Sequence, residues 1–249
     1  MTDTIIQAEK LTMGFDGTSI LEDVSFSVNA GEIFIILGGS GCGKSTLLRH
    51  LIGLQEPMSG KIVIDGRELT GADAAQREAI LAHIGVAFQG GALFGSMTVL
   101  ENVALALEEF TTLPTPAVHW IARAKLRLVG LGGYDDHLPS QLSGGQQKRA
   151  ALARAMAMDP KILFLDEPSA GLDPITAAQL DELIVHLSEI LGVTFVIVTH
   201  ELASVFTLNG RVVMLDKQAK GIIAEGRADA LKNDRSNEAA WRFFNRRLK

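Results

Sequence analysis

Two hydrophobic rhythms alternate along this chain. Ile33-Phe34-Ile35-Ile36-Leu37 is an unbroken apolar run closed by glycines, and Ile162 to Leu165, Thr194 to Val198 and Val212 to Leu215 repeat the form. Short continuous runs of this kind predict strands buried on both faces of a parallel sheet. Elsewhere the period lengthens. Leu47, Leu48, Leu51 and Ile52 share one face of a helix predicted over Lys44 to Leu54, and a second amphipathic helix is predicted from about Pro174 to Leu191. Strand, glycine loop and helix in succession open a βαβ-type unit, so the class is α/β.

The flanking segments differ in texture. Residues 5–37 read as short strands and turns, with Ile20, Leu21, Val24, Phe26 and Val28 ahead of the turn signal Asn29-Ala30-Gly31. Lys61 to Ile64 reads as a short strand ending at Asp65-Gly66. From Gln89 to Asp159 apolar residues recur at helical spacing in Leu100 to Phe110, Val118 to Val129 and Leu142 to Met158, broken at Leu113-Pro114-Thr115-Pro116 and Gly130 to Gly133. The expected organisation is one unit: a core with a β subdomain over about 1–88 and 160–227, a helical insertion over about 89–159, and a helical tail over about 228–249. The tail carries Arg242, Arg246, Arg247 and Lys249 beside Trp241, Phe243 and Phe244. It reads either as a solvated helix end or as a docking element for lipid head groups or a neighbouring subunit.

Composition narrows the classes. With 47% hydrophobic and 21% charged residues over 249, the chain can bury a sizeable core and is not a disordered polymer. A net charge of −6 provides no general attraction for nucleic acid, so no nucleic-acid partner is expected. The single cysteine, Cys42, excludes an internal disulfide and reads as a small loop residue rather than a reactive thiol. No apolar stretch approaches the roughly 20 residues of a membrane helix, and no targeting segment is visible.

The chemistry concentrates in three places. Gly38-Gly39-Ser40-Gly41-Cys42-Gly43-Lys44-Ser45 matches G-x4-G-K-[ST] between a strand and a helix. Its glycines let backbone N–H groups ring a phosphate, Lys44 adds charge, and the Ser45 hydroxyl suits Mg2+. Asp166 and Glu167 close an apolar strand; alone they also fit a solvated strand-to-loop junction. Beside a phosphate cradle they fit a metal ligand (Asp166) and a group that polarises water (Glu167). Leu142-Ser143-Gly144-Gly145-Gln146 opens a helix with Ser143 as N-cap and N–H groups free for an anion.

Together these motifs resemble the nucleotide-binding subunit of ABC transporters over about residues 5–225, in the family's order. Gly38 to Ser45 is similar to Walker A, Gln89 to the Q-loop, Leu142 to Gln146 to the signature, and Ile162 to Glu167 to Walker B. Ser169 to Asp173 is similar to the D-loop and His200 to the switch histidine. The resemblance implies an ABC-type P-loop NTPase fold: a RecA-like parallel core, an antiparallel β subdomain and a helical subdomain. It implies ATP and Mg2+ as ligands, with Glu167, His200 and Gln89 catalytic and Ser45, Gln89 and Asp166 at the metal. Nucleotide contacts fall to Phe15, Gly38, Gly39, Ser40, Gly41, Cys42, Gly43, Lys44, Ser45 and Thr46, and to Ser143, Gly144, Gly145, Gln146 and Asp173. Two copies would pack head to tail, so that one copy's signature helix closes on the other's ATP. His50, His83, His119, His137 and His186 carry no motif.

Phe88-Gln89-Gly90-Gly91-Ala92-Leu93-Phe94 resembles the FQ-x-GALF form of ATPases serving MCE-type (Mla-like) phospholipid transporters, although Gln146 stands where that group often has Met. The implied partners are integral-membrane permease subunits, an MCE-domain protein and a small STAS-type regulator, at the cytoplasmic face of the inner membrane. Phe94 and Met97 would offer a permease helix an apolar edge, or else belong to ordinary core packing. An importer of amino acids or other small solutes would share every catalytic motif. ATPases of DNA repair or ribosomes usually carry a coiled-coil insertion or a second cassette, and this chain has neither.

Overall fold

The computed structural model describes residues 3–15 and 17–246. β1 (Thr4–Phe15) and β2 (Thr18–Asn29) are 12-residue antiparallel partners rather than several short strands. Their polar interruptions are absorbed as bulges. Lys10 and Asp23 take left-handed φ of 47° and 51°, and the register shifts between Ala8 and Leu11 while pairing continues. β3 (Ile33–Gly38) then runs through the glycine loop into α1 (Lys44–Leu51). That helix stops before the expected Leu54 because Gly53 turns left-handed, with its N–H on the His50 carbonyl and that of Leu54 on the Arg49 carbonyl.

β4 (Ser59–Ile64) and β5 (Arg67–Glu68) complete an antiparallel sheet in the order β2-β1-β4-β5. α2 (Ala74–Leu81) and β6 (Ile84–Ala87) follow; the sequence reading contained neither. Three helices come next: α3 (Val99–Phe110), α4 (Thr115–Leu128) and α5 (Gly144–Ala155). α4 begins inside the expected Pro114–Pro116 break, since a first-turn proline sacrifices no intrahelical bond. α5 is shorter than Leu142 to Met158: Ser143 caps its start and the helix ends at Ala155.

The remaining elements are β7 (Ile162–Asp166), α6 (Pro174–Leu191), β8 (Thr194–Thr199), α7 (Leu202–Leu208), β9 (Arg211–Asp216) and β10 (Gly221–Arg227). The tail forms two short helices, α8 (Ala228–Asn233) and α9 (Glu238–Phe244), and Arg242 pairs with Glu238 at 2.5 Å. Arg247 and Lys249 lie outside the described residues.

The main sheet has the order β10-β9-β3-β8-β7-β6, parallel except for the β10 edge. Alternate residues serve opposite faces. Ile35, Leu37, Leu163, Leu165, Phe195 and Ile197 pack toward the helices α3 to α7. Phe34, Ile36, Ile162, Phe164, Val196 and Val198 pack with α1 and the antiparallel sheet. Covering both faces explains the continuous apolar runs. The fold is the α/β P-loop NTPase arrangement, with mixed sheets and flanking helices. Among the described residues no helix is long and apolar enough to cross a membrane.

Candidate functional site: a phosphate cradle at aligned strand ends

Register brings the motifs together. Leu37 of β3 pairs with Thr199 of β8, Val198 of β8 with Asp166 of β7, and Leu165 of β7 with Ala87 of β6. The glycine loop, His200, the Asp166–Glu167 pair and Gln89 therefore leave one edge of the sheet from neighbouring strands. In open α/β sheets this is the edge that binds ligands.

The loop closes around Lys44. Lys44 is 8% exposed, and its ammonium donates to the carbonyls of Gly38 at 2.9 Å and Gly39 at 3.1 Å. Gly43 enters α1 at φ 100°, and a Cβ there would sit 2.8 Å from Leu21 Cγ. A Cβ on Gly38 would meet the Leu215 carbonyl oxygen at 2.6 Å. Gly39, Ser40, Gly41 and Ser45 are exposed, while Cys42 and Thr46 are buried. Cys42 packs into the core and burial pushes its thiol pKa up, which fits an inert small side chain. Phe15, 41% exposed at the end of β1, presents its ring to solvent.

Glu167 is held in a left-handed conformation at φ 48°, which costs of order 1 kcal/mol or more for a residue that carries a Cβ. Its N–H donates to the Val198 carbonyl, and Oε1 lies 2.8 Å from Nδ1 of His200. Oε2 of Glu167 and Oδ1 of Asp166 are both buried without a partner. Burial and the charge of Glu167 raise the Asp166 pKa, against the lowering effects of Lys44, Arg49 and Lys148. An orphaned carboxylate oxygen and an exposed serine hydroxyl at the same sheet edge fit one or two protein ligands of Mg2+. Among the described residues no three His, Cys, Asp or Glu side chains form an all-protein metal cage. Mg2+ that keeps water and phosphate oxygens needs none.

The hydrogen bonds of Ser143 and Gln146 are local to the start of α5. Ser143 Oγ accepts from the Gln146 N–H at 3.3 Å, and Gln146 Oε1 accepts from the Ser143 N–H at 2.9 Å, a reciprocal cap. Gly145 is buried, and a Cβ there would strike Thr176 Cγ2 at 2.5 Å. Asp173 is likewise engaged as the N-cap of α6, accepting from Ile175 and Thr176. Gln89 and Gly144, with Lys148, Gly171 and Leu172, line a groove of about 540 Å³. Gln89 itself is exposed, as is Phe94 at 51%, whereas Met97 is half-buried. Asn102, fully buried, ties the Phe94–Thr98 loop through four hydrogen bonds and so aims Phe94 outward.

Two cations of α5, Lys148 and Arg154, contact the Gln89 loop, and the motifs assign a site role to neither. Their signal was their place in the helix that follows the signature glycines.

Residues 21–170 match the ABC transporter family. The chain belongs to the ABC transporter family. Among relatives, it is 42% identical over 210 residues to a probable ribonucleotide transport ATP-binding protein of Mycobacterium tuberculosis, covering 84% of this chain and 58% of the relative. It is 41% identical over 213 residues to the intermembrane phospholipid transport system ATP-binding protein of Escherichia coli (85% and 78%). It is 39% identical over 241 residues to a spermidine/putrescine import ATP-binding protein of Haemophilus influenzae (96% and 62%). The match thus spans somewhat more than half the length of the mycobacterial ABC relative. Two solved ABC structures share the fold. One is cbiO1 of Clostridium perfringens, with TM-score 0.84, 30% identity and coverage of 99% and 96%. The other is the dimeric cassette MJ0796 bound to ADP and Pi, with TM-score 0.79, 32% identity and coverage of 90% and 98%.

Proposed function

We propose that this protein is the ATP-binding and ATP-hydrolysing subunit of an ABC transporter, working as a head-to-tail dimer. The observation that carries the reading is the buried, unpartnered Oε2 of Glu167 beside His200, at the same sheet edge as the Lys44 cradle. In this mechanism the loop N–H groups and Lys44 hold the β- and γ-phosphates, and Phe15 stacks on adenine. Ser45, Asp166 and Gln89 would hold Mg2+, which would supply charge neutralisation on the phosphates. Glu167 accepts the proton of the attacking water, and His200 orients Glu167 and contacts the γ-phosphate. Ser143, Gly144 and Gly145 of a second copy close the site, so one subunit alone holds half the donors. The dimeric relative bound to ADP and Pi supports an assembly of two copies.

The cargo we infer is phospholipid, moved by an MCE/Mla-type system with a permease, an MCE-domain protein and a STAS-type regulator, the ATPase lying at the cytoplasmic face of the inner membrane. The likeness to the E. coli phospholipid-transport ATPase supports this, as does the outward Phe94 in the FQ-x-GALF-like loop. A second reading, import of a small solute, is favoured by the polyamine-importer relative that aligns with 96% of the chain. Purifying the tagged protein with its membrane partners and reconstituting the complex separates the two. ATP-dependent transfer of labelled phospholipid between vesicles is expected. ATP turnover that responds to a soluble solute and its binding protein, without lipid transfer, would overturn the lipid reading.

A further inference from the structure

We propose that Lys148 and Arg154 are positioning residues that clamp the Gln89 loop to α5, so that this loop and the signature glycines move as one body. The inference rests on the reading above in taking Ser143 to Gly145 as the part that closes on a neighbouring copy. The contacts themselves are independent of it. The Lys148 ammonium donates to the Gln89 carbonyl and reaches the Glu167 carbonyl at 3.5 Å. The Arg154 guanidinium spans the next part of the loop, with one N–H group 2.6 Å from the Ala92 carbonyl and another 2.9 Å from that of Gly91. Carbonyls of residues 89, 91 and 92 thereby accept from cations on a single helix.

Packing places the loop flush on that helix. Lys148, Ala151 and Arg154 follow one another at steps of three along α5, and a Cβ on Gly91 would lie 3.6 Å from the Ala151 methyl. Ala92 takes a left-handed φ of 49°, a strained conformation that the Arg154 hydrogen bond holds in place. The loop lies between β6 and α3, where the carbonyls of Gln89, Gly91 and Ala92 have no strand partner, and α5 supplies their donors. Charged donors make these bonds about twice as strong as neutral ones. Burial lowers the pKa of both side chains, and for Lys148 the carboxylates of Asp166, Glu167 and Glu201 oppose that effect. A loop fastened in this way transmits a push on residues 88–94 along α5 to Ser143 and Gly144, and through Lys148 to the Glu167 backbone.

The test uses the full chain carrying Lys148→Met, Arg154→Met or Lys148→Arg. Hydrogen exchange of peptides covering residues 88–93 is expected to rise about tenfold in each Met variant, with β3 and β8 unchanged. The turnover number for ATP is expected to fall about ten- to a hundredfold, with KM within about threefold of wild type. Lys148→Arg, which keeps a charged donor, is expected to restore both. Unchanged exchange at 88–93, an equal rise throughout the sheet, or a KM effect with turnover intact would overturn the clamp. Should Arg154→Met fail to fold, Arg154→Lys leaves one donor for two carbonyls and gives the same exchange reading. If wild type itself hydrolysed no ATP, the functional reading would fail while the exchange measurement still decided the clamp.

Discussion

Nδ1 of His200 lies 2.8 Å from Oε1 of Glu167, while Oε2 of the same carboxylate has no partner. A base so arranged has one oxygen oriented and one available. Glu167→Gln keeps the shape and the contact with His200 but cannot accept a proton. Turnover is expected to fall about 100-fold or more, while ATP still drives dimer formation. Phosphate release and size-exclusion chromatography with ATP check both parts; wild-type turnover would remove Glu167 from the base role.

Lys44→Ala removes the charge enclosed by the Gly38 and Gly39 carbonyls. A charge-assisted contact of about 1.5–3 kcal/mol translates to a loss of roughly 10- to 150-fold in ATP affinity. Titration with a fluorescent ATP analogue reads this directly. Affinity equal to wild type would contradict the cradle assignment.

Asp181 is 1% exposed on α6, with Oδ1 unpartnered. Burial pushes its carboxyl pKa up to about 6 from 3.8; a hydrogen bond from Ser204 lowers it and the charge of Glu201 raises it. Because the folded value exceeds the unfolded one, the native state binds more protons between these two values. Stability from this group therefore falls as pH rises from about 4 through 6, by up to about 3 kcal/mol, and stays low above pH 7. Asp181→Asn is expected to stabilise the protein by about 1–3 kcal/mol at pH 8 and far less at pH 4.5. Urea unfolding of both proteins at the two pH values tests this; an identical difference at each would refute it.

Gly85 in β6 leaves no room for a side chain. A Cβ there would lie 2.1 Å from the Ala155 carbonyl oxygen at the end of α5 and 2.6 Å from Leu163 Cδ2. Gly85→Ala is expected to destabilise the fold by about 2–4 kcal/mol. Gly95→Ala, where nothing lies within 4 Å, serves as the control in thermal melts.

The strands β3, β7, β8 and β9 were legible along the chain because burial on both faces demands uninterrupted apolar residues. The cradle was legible because its eight residues are contiguous, and a loop that wraps phosphate is built from neighbours. β6 was hidden for the opposite reason. Gly85 and Ala87 are small to let α5 approach, and small residues carry no periodic signal. The long β1–β2 pair was misread as several strands because bulges at Lys10 and Asp23 imitate turns locally.

The meeting of Glu167 with His200 belongs to another level. They are 33 positions apart and touch only because β8 lies between β3 and β7. The grip of Lys148 and Arg154 on residues 89–92 likewise depends on where α5 settles against that sheet. Periodicity and loop chemistry are properties of neighbouring residues, so the chain displays them directly. Strand order and helix docking emerge from how the whole core packs, and it is they that determine which distant side chains come within hydrogen-bond reach.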